Sequence, residues 1–387
     1  MKNILYIWYN ELMTILHDKG IMIFVVFVPL AYPLLYSYVY TNEVVRDVPA
    51  VVVDLCHSSR SREFIRKVDA TPDVKILTRC PSVSNAREYI MRHEAYGIFV
   101  IPNTFDWDIL KGDQTYVGLY CDMSSMLYYK GLLLAATDVS LDMNRDIKVA
   151  RLGTYTDRDK EVTKMPVEYD HQSIFNPQSG FASFLIPPVL MLIIQQTLLL
   201  GIGMHMGSTR EEYMDCIIPF DKNYKNVMHI VTGKSLAYFM LYFIMAIYMF
   251  TFVNKMFNLP ILGKYLVLIE FAIPYILACI FFAITLSSVI YRREDCILIF
   301  VFMSVPMLFL SGISWPSSAM PVFWKYFSYI FPSSFGMNAY VHIMNMGCEL
   351  SDIRNIYIGI WVQVIFYFIT SCLMYAKHLR KMKRMIF

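Results

Sequence analysis

The sequence predicts a polytopic α-helical membrane protein: six transmembrane helices, with an extracytoplasmic α/β domain inserted between the first and the second. Three observations carry this class. Of 387 residues, 57% are hydrophobic and 17% charged, against roughly 25% charged in a soluble domain. The charges cluster and leave long stretches with no Asp, Glu, Lys or Arg. One interval between two such stretches, 41–180, alternates instead between strand-like and helix-like patterns.

Crossing a hydrocarbon core of about 30 Å takes about 20 apolar residues. Ile21–Tyr40, Phe181–Met206, Ser235–Val253, Phe271–Tyr291, Cys296–Ser314 and Asn355–Ala376 qualify. None shows the polar face that a soluble helix needs. The alternative for the first, a cleaved signal peptide, fits poorly. The run exceeds an apolar region of about 7–15 residues, and VPLAYPLLYSYVY offers no small-residue cleavage site.

Charge placement orients the chain. The tail 377–387 carries Lys377, Arg380, Lys381, Lys383 and Arg384. The loop after the second span holds Arg210, Lys222, Lys225 and Lys234, and the loop after the fourth holds Arg292 and Arg293. The other side has Lys255, Lys264, Lys325 and Arg354. Both termini are therefore expected in the cytoplasm and the inserted domain outside. A net charge of only +3 argues against a nucleic-acid partner.

Taken in order, residues 1–20 place Ile4, Leu5, Trp8, Leu12, Ile15 and Leu16 at helical spacing, an amphipathic helix in the interface. The first span follows at 21–40. In the inserted domain, 41–180, strands are expected at Ala50–Leu55, Asp73–Leu77, Tyr96–Ile101 and Tyr116–Cys121. Helices are expected at Ser59–Asp69, opened by capping serines, at Ser84–Arg92 and over most of Met123–Leu152. That order implies a small sheet with parallel pairing. Gly153–Ser173 is polar and reads as irregular. The membrane region, 181–376, begins with a span that Pro187 and Pro188 should kink or interrupt. Near 312–335, Pro and aromatic residues alternate with hardly any charge. This suits a re-entrant or interfacial pair of short helices with Trp315, Trp324, Tyr326 and Tyr329 at headgroup depth.

Eight cysteines divide across this topology. Cys56, Cys80, Cys121 and Cys348 fall outside, where disulfides form; Cys279 and Cys372 sit in spans as small apolar residues. Cys56 and Cys80 follow the carboxyl ends of adjacent strands about 4.8 Å apart, so either a bridge between them or two unpaired thiols is compatible with the layout. No Cys/His cluster has metal spacing.

Signals for chemistry are sparse. Gly233-Lys234-Ser235 lacks the first glycine of a phosphate-binding loop, Met228 standing there, so ATP is not expected on this chain. Lys234 reads as a cytoplasmic charge flanking a helix. His93-Glu94 has no second His at metalloprotease spacing, and no nucleophile elbow or dinucleotide fingerprint occurs. No enzymatic site or bound cofactor is predicted. Glu270, near the outer end of a span, is either a polar anchor in a substrate path or an interfacial acid. Gln195 and Gln196, mid-span, suit interhelical hydrogen bonds or a substrate path. Gly207–Pro219 (GSTREEYMDCIIP) reads as a short amphipathic helix that could dock on a partner, or as a plain linker.

In sum the pattern resembles the permease subunit of bacterial ABC exporters of the ABC-2 type, over essentially the whole chain. The resemblance rests on VPAVVVDLCHSS and YGIFVIPNTFDWDILKGD in the inserted domain, on FNP at Phe175–Pro177, and on the segment from Ser311 through Pro316 and Pro321 to Pro332. The family's cytoplasmic loop often reads R-E-x-G-T. Here Arg210-Glu211-Glu212 is followed by Tyr213-Met214, so that signature is partial.

The resemblance implies one half of a dimeric pathway, homodimeric or heterodimeric, in the bacterial inner membrane. A separate ABC ATPase, carrying ATP and Mg, would contact Arg210, Glu211, Glu212, Tyr213, Asp215 and Pro219, and also Arg292, Arg293, Glu294 and Asp295. It also implies outward export of a drug, lipid or other hydrophobic compound, with a periplasmic membrane-fusion adaptor and an outer-membrane channel as further partners. Two other classes compete. A membrane-bound sensor with an outward ligand-binding domain needs only one or two spans. An ion-coupled transporter favours intramembrane charges and internal repeats, and the sequence offers only Glu270.

Overall fold

The computed structural model describes residues 2–152, 174–176, 180–213, 216–219, 221 and 223–386. Gly153–Ser173, Pro177, Met214 and Asp215 lie outside the described residues. The chain divides into two compact units, Met1–Glu43 with Ser173–Phe387, and Val44–Gln172.

The first unit opens with α1 (Lys2–His17). Asp18 ends it and caps the next helix, accepting from the Gly20 and Ile21 N–H groups at 2.9 and 3.1 Å. That helix, α2 (Lys19–Val39), widens into a π-turn at Ile23–Phe27, just before Pro29 removes a donor from the ladder.

In the second unit the elements are β1 (Val48–Asp54), α3 (Ser59–Asp69), β2 (Val74–Arg79), α4 (Val83–Met91), β3 (Gly97–Ile101), α5 (Phe105–Lys111), β4 (Gly118–Cys121) and α6 (Met126–Leu152). Ser58 caps α3 through the Ser61 N–H at 3.0 Å. The sheet order is β2-β1-β3-β4. β1 pairs in parallel with β2 and β3, as its Val-rich run buried on both faces requires. β4 runs antiparallel to β3, so the sheet is mixed and not wholly parallel.

Side chains alternate across β1. Val48, Ala50 and Val52 face Phe64 and Ile65 of α3 and Leu132 and Val139 of α6, while Val51 and Val53 face Ala86 of α4. A bulge in β2, where Ala50 pairs with Ile76 but Val51 pairs with Thr78, turns the end of that strand over and separates the two thiols considered for a bridge. Cys80 is buried with Val51 and Val53, whereas Cys56 packs against the opposite core. Both are free cysteines. Burial pushes the Cys80 thiol's pKa up, which keeps it protonated.

The first unit resumes at α7 (Phe181–Glu212), continues through α8 (Val227–Met256), α9 (Tyr265–Ser287), α10 (Arg293–Leu310), α11 (Val322–Ser328) and α12 (Pro332–Tyr340), and closes with α13 (Arg354–Ile386). Glu43 caps α7: its carboxylate accepts from the Ser183 N–H at 3.1 Å and hydroxyl at 2.6 Å. Of the two outcomes expected of Pro187 and Pro188, interruption does not occur, and α7 runs unbroken for 32 residues. It forms the axis of the unit, and almost all of it is buried. Polar contacts tie its neighbours together, as the Thr285 hydroxyl of α9 does with Thr370 and Ser371 of α13 at 2.9 and 3.1 Å.

Among the described residues five helices, α2, α7, α8, α9 and α13, are long and apolar enough to cross a membrane. The expected sixth crossing, Cys296–Ser314, corresponds to α10. It has 18 residues and opens on three charged ones, Arg293, Glu294 and Asp295, which shortens its apolar run. The segment near 312–335 holds the expected short helices α11 and α12, and the basic tail continues α13 as helix.

Candidate functional site

Several charged groups of the first unit meet at α1 and around it. The buried seam of α1 is Ile7, Glu11 and Ile15, spaced four apart. Leu5 and Leu16, expected on that seam, are exposed instead. The seam lies on α8, where a Cβ at Gly233 would come within 2.9 Å of the Ile7 Cβ, so only glycine lets the two backbones approach this closely.

Glu11 is 2% exposed and carries the polar centre of this contact. Its carboxylate meets the Lys234 ammonium of α8 at 2.9 Å and the His205 Nε2 of α7 at 3.2 Å. Lys234 is itself 2% exposed, so it is no solvated flanking charge. Burial alone pushes the Glu11 carboxyl up. The fields of His205 and Lys234 outweigh that and hold it at about 2. Three ionisable groups from three helices, separated by up to 223 residues of sequence, thus form one closed cluster. Sequence reasoning missed it, although His205 and Lys234 each interrupt a largely apolar stretch, which is the available signal.

Beside this cluster the two loops expected to contact an ATPase come together. Glu211, near the end of α7, accepts from the Arg293 backbone N–H at 3.2 Å and so caps α10. The Arg293 guanidinium grips Asp18 at 2.7 and 3.0 Å. Partial burial raises the Asp18 carboxyl, but Arg293 and the Ile21 and Gly20 N–H groups prevail and hold it below the usual carboxylate range. Gly207 permits the approach: a Cβ there would lie 2.7 Å from the Arg293 nitrogen.

Other residues of the two loops divide between packing and surface. Arg210 is buried, donates to the Ser288 carbonyl and stacks 4.8 Å from the Tyr291 ring centre, so it braces the rim from within. Asp295 caps its own helix through the Arg292 N–H at 3.1 Å. Glu212, Arg292 and Glu294 are exposed beside Glu211, while Tyr213 and Pro219 are half-buried. Asp215 lies outside the described residues. Of Gly207–Pro219, read as a short amphipathic helix or a plain linker, Gly207–Glu212 is the end of α7. Cys216, Ile217 and Ile218 fold back into the core in a bend.

Of the polar residues named for a substrate path, Gln195 and Gln196 meet at one sulfur and Glu270 does not join them. Gln195 is wholly buried: its Oε1 accepts from the Ser333 N–H, an unpaired donor of the first turn of α12, and its Nε2 lies 3.2 Å from the Met307 sulfur of α10. Gln196 reaches the same sulfur at 4.0 Å. Glu270 is exposed on α9, apart from both. Gln195→Leu, which strands the Ser333 donor, should cost about 1–3 kcal/mol and lower the thermal unfolding midpoint in detergent. Gln196→Leu should leave that midpoint nearly unchanged.

Among the described residues no group of three or more His, Cys, Asp or Glu side chains is arranged to hold a metal ion. What the geometry provides is mechanical. A charged, partly exposed rim is coupled through Arg293 and Asp18 to α1 and α2, and α1 is coupled through a buried ion cluster to the bundle.

Comparison with known proteins gives that rim a context. No curated protein matches the chain. The family model described as ABC-2 family transporter protein matches residues 19–373, nearly the whole chain. The protein is therefore a member of the ABC-2 transporter family, a membrane component of transport that works in general with an ABC ATPase.

Proposed function

We propose that this chain is the permease subunit of an ATP-driven exporter, working as a dimer in a bacterial inner membrane with a separate ATPase that carries ATP and Mg. The observation that carries the reading is the joined rim. Two loops about 80 residues apart in sequence, each basic enough to be held in the cytoplasm, present Glu211, Glu212, Arg292 and Glu294 together on a braced surface. Movement of an ATPase against this rim would pass through Arg293–Asp18 to α1 and α2, and through Glu11–Lys234 to α8.

In this reading α10 is the sixth crossing. Its 18 residues span about 27 Å at 1.5 Å each, with its charged first turn in the cytoplasm. Both termini are then cytoplasmic and the α/β unit faces outward, where an adaptor leading to an outer-membrane channel would dock. The cargo is a hydrophobic compound, lipid or drug, moved outward between two permeases.

The rim is tested by reversing the exposed charges that make no capping contact. Glu212→Lys with Glu294→Lys should reduce co-purification of the ATPase at least 10-fold, about 1.4 kcal/mol, with the thermal midpoint of the permease unchanged. Undiminished co-purification would remove the rim from the contact.

A further inference from the structure

A second feature of the first unit is not used by this coupling. Where the loop after α10 meets α11, α12 and the start of α13, the chain forms a half-open cavity of about 470 Å³, within the usual range for small-molecule sites. Its polar lining is unevenly satisfied. Ser334 is 4% exposed and its hydroxyl has no hydrogen-bond partner among the described residues. Such a buried, unpaired group is costly unless a ligand or water completes it.

The neighbouring side chains have defined roles. The Asn338 amide donates both its hydrogens, to the Ser311 and Ser334 carbonyls at 2.8 and 2.7 Å, which leaves Oδ1 as an acceptor. His342 Nδ1 lies 2.7 Å from the Asn338 carbonyl and donates to it, and the tautomer this selects offers Nε2 as a second acceptor. Lys325, exposed at the cavity's edge, brings an ammonium that makes no ion pair among the described residues. The cavity thus combines a cation and a free hydroxyl with two unfilled acceptors. A ligand that carries a phosphate and a primary ammonium matches both halves.

The surroundings identify the source of such a ligand. Lys325 sits on α11, whose Val322, Phe323, Trp324 and Tyr326 are all exposed, as is the nearby Trp315. A short helix presenting these side chains suits the boundary between acyl chains and headgroups, with the lysine reaching the polar layer. Phe335 and Leu310 add apolar wall to the cavity, suited to the glycerol and first acyl carbons.

We propose that this cavity binds the headgroup of an ethanolamine-type phospholipid from the adjoining leaflet. The phosphate is held by Lys325 and Ser334, and the ammonium by Asn338 and His342. The proposal uses the interfacial placement of α11 but no step of transport, so it stands or falls apart from the export reading.

The test is lipid retention by the full-length chain, reconstituted in nanodiscs of phosphatidylethanolamine, phosphatidylcholine and phosphatidylglycerol in equal parts and then released into detergent for native mass spectrometry. The wild type should keep phosphatidylethanolamine in preference to the other two. Lys325→Gln and Ser334→Ala should each reduce that retention about 10-fold, while Lys255→Gln, a cation elsewhere, should not. Ser334→Ala removes an unpaired hydroxyl, so its thermal midpoint should not fall; this separates lost binding from lost folding. Equal retention of all three lipids, or unchanged retention in Lys325→Gln and Ser334→Ala, would overturn the proposal. Displacement of the lipid by an equal concentration of glycerophosphoethanolamine would also overturn it, since it would assign the site to a soluble phosphate ester.

Discussion

Glu11→Gln should lower the stability of the membrane unit by about 3–5 kcal/mol, because it leaves the Lys234 ammonium buried with no counter-charge. Thermal unfolding in detergent, followed by tryptophan fluorescence, reads this directly. Lys234→Met should be similarly damaging, since it leaves Glu11 with His205 alone. The double variant Glu11→Leu with Lys234→Met should recover most of the loss, because a buried pair replaced by apolar groups of like volume is often neutral. That non-additivity distinguishes a coupled pair from two independent packing defects.

The same cluster sets a pH dependence. The Glu11 carboxyl titrates at about 2 in the folded chain, against an ordinary value of 4.5. A depressed folded value means that its contribution is complete above about pH 4.5 and is lost as pH falls towards 2. The wild type should therefore lose stability across that window, and Glu11→Gln should show a correspondingly flatter acid limb.

The second large effect lies at Gly207. Its ideal Cβ would stand 2.7 Å from the Arg293 nitrogen and 2.8 Å from the Arg293 Cα, and backbone atoms at the start of a helix cannot turn aside as a side-chain tip can. Gly207→Ile should push α10 away from α7, at a cost of about 1–3 kcal/mol, and should break the Glu211 cap on Arg293. Both halves of the rim then separate. The expected outcome is a lowered thermal midpoint together with loss of ATPase co-purification. A variant that kept full co-purification would show that the two loops need not be joined.

Much of the fold was legible because its signals are local. The helix Ser59–Asp69 announces itself by a capping serine and by Phe64, Ile65 and Val68 on one face, and the structure places it there. The strands appear as runs of Val and Ile. Strand direction is not written in such a run, and the antiparallel turn of β4 escaped a reading based on order alone. The short helix Phe105–Lys111 was also missed, since seven residues hold too few turns for a periodic signal. For Cys56 and Cys80, adjacency of strands suggested proximity, but a bulge in β2 at Leu77, which no local pattern announces, sends the two thiols to different cores.

Site residues follow the same division. Charge counts along the chain located both loops of the rim. They could not show that Arg210 turns inward to Ser288 and Tyr291 while Glu211 and Glu212 stay out, because that depends on helix phase at the end of a 32-residue helix. Glu11 looked like a solvated residue of an amphipathic helix, and Lys234 like a flanking charge. Each is explained only by the other, across the fold.

The central claim is that ATP hydrolysis on a partner drives outward movement through this chain. Its most direct measurement is transport in sealed proteoliposomes holding the permease with its ATPase, loaded with a fluorescent hydrophobic cargo and supplied with ATP on the ATPase side. The account predicts vectorial movement away from that side, dependent on ATP and abolished by Gly207→Ile. Movement that proceeds without ATP and follows an imposed ion gradient would contradict it.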